Sequence, residues 1–335
     1  MKILALQFKY FGDAVLMTPA LRALREHFPE AELHVLVPQE MTPLFQHLPW
    51  LNRVWGMPRH RGHASLSETW PFIAALRRER FDRSVDFAGN DRGAILSRLI
   101  GSRQRLSWTT RHSRWWRTFC YHQQVLEPEV LPHESRRLAQ LLSAWQVPSP
   151  RSYESEIRPN PTLMDEARRL LPSDNVILCH IASSQPKKEW PVKSWVEFYH
   201  LAGGAGLKLA FTTARGQREA SLIDELKSHL PEAEVLPEIA DLALFLAVLA
   251  RSRGFVSGDT GPLHFAAGLG VPTLSLFGPT SPNRWAPLGE KHRYLVGGPC
   301  ECSGHSAVCQ APKHCLMAAP PAKVLSALQD LLLLK

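Results

Sequence analysis

The chain has 335 residues, 44% of them hydrophobic and 21% charged, with a formal net charge of +8; that length suits two hydrophobic cores better than one, and the composition excludes a disordered or fibrous protein. No run approaches the roughly 18 uncharged apolar residues of a membrane span, since the most apolar long segment, residues 242–250, is bounded by Asp241 and Arg251. An apolar strand begins at once and Asp13 interrupts it, which is not a secretory signal pattern, so a cytoplasmic protein is expected.

In chain order, residues 3–8 read as a strand, 9–12 as a turn and 13–27 as a helix. Asp13 then stands at the carboxyl end of the first strand, where open α/β sheets bind ligands; a plain helix N-cap is the alternative. Strands are expected at 33–37, 53–56 and 84–87, with helices at 66–80, 91–100 and 134–145. Between residues 92 and 126 lie Arg92, Arg98, Arg103, Arg105, Arg111, Arg114 and Arg117 with no acidic residue, and Trp108, Trp115 and Trp116 are interleaved with them. Residues 1–150 hold 20 Lys and Arg against 13 Asp and Glu, so the excess charge belongs to this half. Arginines with aromatics suit a phosphate-bearing partner such as nucleic acid, anionic lipid or a phosphorylated sugar; a solvated basic face is the alternative. Residues 147–161, with Pro148, Pro150, Pro159 and Pro161, read as a linker.

The second half repeats the alternation. Strands are expected at 176–181, 207–211, 254–257 and 273–277, and helices at 192–202, 217–229, 239–251 and 262–268. Strands alternating with helices imply parallel sheets, hence two α/β domains facing each other across a cleft. After the first of these strands comes Ser183-Ser-Gln-Pro-Lys-Lys-Glu-Trp-Pro191, with hydroxyls on Ser183 and Ser184 and point charges on Lys187 and Lys188 for a phosphate; Trp190 is also a candidate apolar anchor for the loop. After the strand at 254–257 comes Ser257-Gly-Asp-Thr-Gly-Pro-Leu-His264. Gly258 and Gly261 permit a sharp turn, Pro262 suits the first turn of a helix, and the helix start favours an anion. Asp259, Thr260 and His264 add polar groups there, with Asp259 as a simple cap being the bland reading.

Cys300, Cys302, Cys309 and Cys315 cluster with His305 and His314. Four thiols and two imidazoles invite a structural zinc site, against which stand the tight C-x-C start and the lack of a second C-x-x-C knuckle. The closing residues 319–335 have a helical apolar pattern.

Together, Phe11-Gly-Asp-Ala-Val-Leu-Met-Thr-Pro-Ala-Leu21, the 183–191 loop, the 257–264 turn and Leu276-Phe-Gly-Pro-Thr-Ser-Pro282 with Arg284-Trp285 resemble the signatures of the glycosyltransferase family 9 heptosyltransferases. The resemblance runs in order from Ile3 to about Pro287 and is weakest in the basic middle of the first half. It implies a GT-B architecture with a Rossmann-like acceptor domain over 1–160, a Rossmann-like nucleotide-sugar domain over 161–318, and a terminal helix over 319–335 that packs back at the domain boundary. It implies inverting transfer of L-glycero-D-manno-heptose from ADP-heptose to the lipopolysaccharide inner core. Under it Asp13 matches the general base and Lys188 the lysine on the donor phosphates, with Ser183 and Ser184 beside it. Thr260 and Gly261 match the pyrophosphate turn, Asp259 a carboxylate near the heptose, His264 a neighbouring histidine, and Glu219 an acid near the ribose, although on the residues alone a solvated surface acid on a helix is the better reading of Glu219. Lys9, Arg111, Arg114 and Arg117 are the candidates for holding the phosphorylated acceptor. Lys9 in the turn before Asp13 resembles the branch that adds a later, side-branch heptose, the heptosyltransferase III-like branch.

No Asp-x-Asp pair occurs, which fits a metal-independent enzyme with no cofactor. The resemblance also implies peripheral contact with the anionic cytoplasmic face of the inner membrane of a Gram-negative bacterium, and no nucleic-acid partner. Two rivals stay open on the residues alone: a GT-B enzyme using another nucleotide sugar, and a basic nucleic-acid-binding protein. A nicotinamide-dependent enzyme is excluded, because Gly203-Gly-Ala-Gly206 follows a helix and precedes a strand, the reverse of the required context.

Overall fold

The structure, a computed structural model, describes residues 1–58, 66–212, 216–300, 308–309 and 314–333. The chain separates into two compact units, Met1–Arg158 and Pro159–Lys335.

In the first unit β1 (Lys2–Leu6), β2 (Glu32–Pro38), β3 (Arg53–Met57), β4 (Arg83–Asp86), β5 (Gln104–Thr109) and β6 (Gln123–Leu126) form one sheet in the order β3-β2-β1-β4-β5-β6, every pair parallel. Its helices are α1 (Phe11–Leu16), α2 (Thr18–His27), α3 (Leu66–Arg78), α4 (Asp91–Ile100) and α5 (Glu134–Leu141). In the second unit β7 (Val176–His180), β8 (Lys208–Thr212), β9 (Glu234–Val235), β10 (Gly254–Gly258), β11 (Thr273–Phe277) and β12 (His292–Val296) repeat that plan in the order β12-β11-β10-β7-β8-β9, again all parallel. With them go α6 (Met164–Leu170), α7 (Val192–Gly204), α8 (Gln217–His229), α9 (Leu242–Leu249), α10 (Gly261–Gly268), α11 (Pro282–Trp285) and α12 (Pro321–Leu333). Each sheet winds outward from its middle in both directions, the doubly wound Rossmann arrangement, and the two α/β units are those expected of a GT-B protein. Their central strands are buried on both faces, which is why β7, β10 and β11 read as short, nearly continuous apolar runs.

Several elements differ from the sequence expectation. The helix expected over 13–27 is two, because Pro19 has no N–H and crowds the carbonyl of Val15; Thr18 Oγ1 donates to that freed carbonyl oxygen at 2.8 Å. The expected helix over 134–145 ends at Leu141 and finishes as a 3-10 turn over Leu142–Trp145. The basic middle contains β5 and β6, whose few apolar residues, Leu106 and Trp108 in one and Val125 and Leu126 in the other, give a weak strand signal. The stretch read as a linker is instead strapped to the first unit: Ile157 is buried, and the Glu156 amide donates to Thr18 Oγ1 at 2.9 Å. The terminal helix α12 packs on α7, β11 and β12, and Val324, Leu328 and Leu331 enter the second unit's core with Trp195, Phe198 and Phe211.

Candidate active site

In each unit the winding direction changes between two central strands, β1 and β4 in the first and β7 and β10 in the second. Loops leaving these strands diverge and open a crevice at their carboxyl ends. Asp13, Ser183, Ser184, Lys188, Asp259, Thr260, Gly261 and His264 follow strands at these two points, whereas Arg111 and Arg114 follow β5 and Glu219 follows β8.

At the first, β1 runs into Gln7 and the buried Phe8, and α1 begins at Phe11 after an extended Tyr10. Asp13 is the third residue of α1, inside its first turn, so the N-cap reading is corrected: Tyr10 is the cap position and offers no side-chain bond. Asp13 is only 5% exposed. Burial, then the nearby Glu134, push its pKa up to about 6, against the opposing pull of Lys9, Arg137 and its own backbone amide. A carboxylate so held can accept a proton near neutral pH.

Glu134 and Arg137 were not singled out from the sequence. Both are buried on α5, which packs on α1 and α2. Arg137 grips Glu134 with Nε and Nη2 at 2.9 and 2.5 Å, reaches Glu127 at 2.9 Å and lies over the Trp108 ring. The only sequence signal was an acid and a base three apart on one helix, a spacing common on solvated faces.

The β4 side is equally ordered. Asp86 accepts from the amides of Ala88 and Gly89 and, at 2.6 Å, from the Tyr121 hydroxyl. Its pKa is raised by burial in spite of these bonds, while burial and the Asp86 charge raise that of Tyr121. Asn90 caps α4 and donates to the Phe8 carbonyl oxygen at 3.4 Å, joining the β4–α4 loop to the turn before Asp13.

The arginine candidates separate. Arg111 and Arg114 are exposed and reach Glu129 at 2.6 Å and Asp91 at 3.2 Å. Arg117 differs from expectation: it is 7% exposed and donates to the Gly89 carbonyl oxygen at 2.5 Å, so it braces the loop after β4 rather than facing an acceptor. Its position on a 3-10 turn (Trp115–Cys120) directs it inward. The tryptophans separate likewise, Trp108 buried in β5 and Trp115 exposed, edge-on to the exposed Phe119.

At the second switch point Trp190 anchors the loop after β7, packing edge-to-face on Trp195 with ring centroids 5.0 Å apart. Ser183 is buried and its amide donates to Glu189 Oε1 at 2.8 Å, whereas Ser184 faces solvent. Lys187 is buried; Lys188 Nζ lies 2.8 Å from Asp259 Oδ2. The Lys188 carbonyl oxygen rests against Gly258, where an added Cβ would come within 2.7 Å of it, so the loop can lie this low over β10 only because that residue is glycine.

After β10 the cap of α10 is Thr260, whose Oγ1 accepts from the Leu263 amide at 3.4 Å. That corrects the reading of Asp259 as the cap. The Asp259 carboxylate instead meets Lys188, with His264 Nε2 3.9 Å from its other oxygen. Gly261 opens the helix and Pro262 follows it. A lysine, a helix N-terminus and a threonine hydroxyl thus converge on one strand end, an arrangement that can take a diphosphate without a Walker motif.

Glu219 on α8 is not a solvated surface acid: its side chain is 18% exposed and pairs with Arg218 at 3.0 Å. Arg218 and Glu189 bind each other, and neither was assigned a role from the sequence. Among the described residues no group of three or more His, Cys, Asp or Glu side chains is arranged to hold a metal ion. Cys300 is half-buried and Cys315 buried, while Cys302 and His305 lie outside the described residues.

The family model of glycosyltransferase family 9 (heptosyltransferase) matches residues 69–313. The chain is 23% identical over 294 residues to lipopolysaccharide heptosyltransferase 3 of Escherichia coli, covering 83% of this chain and 84% of that protein. It is 24% identical over 321 residues to lipopolysaccharide heptosyltransferase 2 of Escherichia coli K12, covering 88% of each. Among solved structures its fold is similar to a family 9 glycosyl transferase from Veillonella parvula, with a TM-score of 0.85 at 19% identity, over 100% of this chain and 98% of that one. The fold of the ADP-heptose lipopolysaccharide heptosyltransferase II of Escherichia coli also matches, with a TM-score of 0.78 at 22% identity over 99% of each chain. The family match spans well over half of the chain, and the chain belongs to glycosyltransferase family 9, the heptosyltransferases.

Proposed function

We propose that the protein moves L-glycero-D-manno-heptose from ADP-heptose to the lipopolysaccharide inner core with inversion, using Asp13 as general base. The observation that carries the reading is the buried Asp13, held at a pKa of about 6, in the first turn of α1 just beyond the end of β1, where the family resemblance expects the base. Asp13 takes the proton of the acceptor hydroxyl as its oxygen attacks the anomeric carbon. The bond from that carbon to the diphosphate breaks on the opposite face, and ADP leaves with the electron pair. Charge growing on the diphosphate is met by Lys188 and by the α10 terminus at Thr260 and Gly261. Ser183 and Ser184 border the phosphates, Glu219 the ribose, and Asp259 with His264 the heptose hydroxyls. Because Asp259 already neutralises Lys188 at 2.8 Å, the donor enters by exchanging its phosphate for that carboxylate.

The exposed Arg111 and Arg114, with Lys9, suit a phosphorylated acceptor. Lys9 and the likeness to lipopolysaccharide heptosyltransferase 3 favour the branch that adds a later heptose. No described helix is long and apolar enough to cross a membrane; the exposed Trp115 and Phe119 beside these arginines suit peripheral contact with the anionic cytoplasmic face of a Gram-negative inner membrane.

The test is ADP release from ADP-heptose with a panel of truncated cores, for wild type and Asp13→Asn, with and without EDTA. Release that needs an acceptor, survives chelation and collapses in Asp13→Asn is expected, and the responding core identifies the step. No release with any core, together with tight binding of another nucleotide sugar, would overturn the substrate. Replacing Arg111 and Arg114 by Glu is expected to raise the acceptor KM at least about tenfold, as for loss of charge-assisted bonds, with donor affinity unchanged.

A further inference from the structure

The loop that carries Lys188 is held from outside. Within it, the Ser183 amide donates to Glu189 Oε1 at 2.8 Å, closing residues 183–189 on their own carboxylate. Arg218, the second residue of α8, then spans the gap: its guanidinium donates to Glu189 Oε1, to the Ser183 carbonyl oxygen and, at 3.0 Å, to Glu219 Oε1. Glu219 is folded back over Gly216, which has φ +140° and where an added Cβ would meet Glu219 Oε2 at 2.3 Å. One planar fork therefore ties both ends of the 183–189 loop to the start of α8. Lys188 is the neighbour of Glu189 and is itself a point charge on a flexible stem, so its aim depends on the backbone beneath it. That backbone is pinned below by Gly258 and from the side by Arg218 through Glu189.

We propose that Arg218 is a positioning residue of the nucleotide site, locking the 183–189 loop so that Lys188 faces the diphosphate and joining that loop to the carboxylate assigned to the ribose. The proposal rests on the ADP-sugar reading above. Lysine cannot replace Arg218, because one ammonium does not reproduce a fork that reaches a carboxylate and a carbonyl oxygen together.

ADP and AMP are titrated calorimetrically into wild type, Arg218→Ala, Arg218→Lys, Glu189→Gln and the Arg218→Ala/Glu189→Gln pair, with thermal unfolding as the folding control. Loss of Arg218 is expected to weaken ADP about tenfold, the scale of one charge-assisted bond, and AMP within about threefold, since AMP lacks the second phosphate. Arg218→Lys should resemble Arg218→Ala, and the double variant should bind ADP no worse than Arg218→Ala. Equal losses for ADP and AMP, additive losses in the double variant, or unchanged ADP affinity with only a lower melting temperature would each overturn the proposal. A wild type that binds neither nucleotide would overturn the ADP-sugar reading, and this inference with it; that failure is separable because it appears before any substitution is made.

Discussion

Asp13 is costly to the fold in the state that makes it useful. Its folded pKa of about 6 stands above the ordinary 3.8, so the ionised form destabilises the folded protein above pH 6. The sign follows by linkage: the cost is full above pH 6, shrinks as pH falls through 6, and is gone below about pH 4. Asp13→Asn is therefore expected to stabilise the protein by about 2–3 kcal/mol at pH 8, with the difference vanishing near pH 4, measured by urea unfolding at both pH values. In the wild type, kcat/KM should fall about tenfold per unit below pH 6 as the free enzyme's base is protonated. An acid limb centred near 4, with no stability gain in the variant, would refute both statements. His180, buried beside Thr212 and held down at about 4 by burial, is neutral at pH 6 and above and so does not set the limb centred near pH 6.

At the scale of elements, Gly258 controls the height of the Lys188 loop. Gly258→Ala pushes a methyl group into the Lys188 backbone carbonyl, and backbone, unlike a flexible side chain, has little room to yield. A loss of about 1–3 kcal/mol in stability is expected, with weaker ADP binding, read by calorimetry and unfolding on the same variant. An unaffected ADP affinity would mean that the loop can shift without moving Lys188. The loops around these strand ends were legible in the sequence because glycine, proline and cap residues mark them locally. Strands β7, β10 and β11 were legible because burial on both faces leaves them apolar apart from small Gly, Ser, Thr and Cys residues and the closing His180. What was not legible depended on partners distant in the chain. Arg117 sits in an arginine-rich run and looks like its neighbours until Gly89 and Asp86 are folded beneath it. Arg137 and Arg218 were passed over for the same reason, since what defines each is a pair of contacts brought in by another element. Strand β12, an edge strand with no fully buried position, opens on His292 and Arg293 and so does not announce itself.

For the whole molecule, the two units have separate cores, and α12 belongs to the second. Leu328→Ala is expected to cost about 2–5 kcal/mol, followed in urea by the fluorescence of tryptophans such as Trp195, which shares that core. Stability within 1 kcal/mol of wild type, against the cavity expectation, would mean that α12 is dispensable. The charge asymmetry also acts at this scale: the basic excess sits in the half assigned to the acceptor, while the nucleotide half is nearly neutral, so salt should weaken acceptor use more than ADP binding.

The strap that ties residue 156 to α2 bears on how the protein is born. β1 gains its second neighbour only when β4 exists, and Glu156 then closes the unit through Thr18 and through Trp50, whose indole N–H it accepts at 3.1 Å. Every partner in that closure precedes Pro159, so the first unit can finish folding while the ribosome is still extending the chain. At about 5–20 residues per second, the remaining residues take roughly 10–35 s to make. The second unit has no such head start. Trp195, Phe198 and Phe211 await the leucines of α12, the last described helix, so during synthesis it is this half that exposes apolar surface longest and has most need of chaperones.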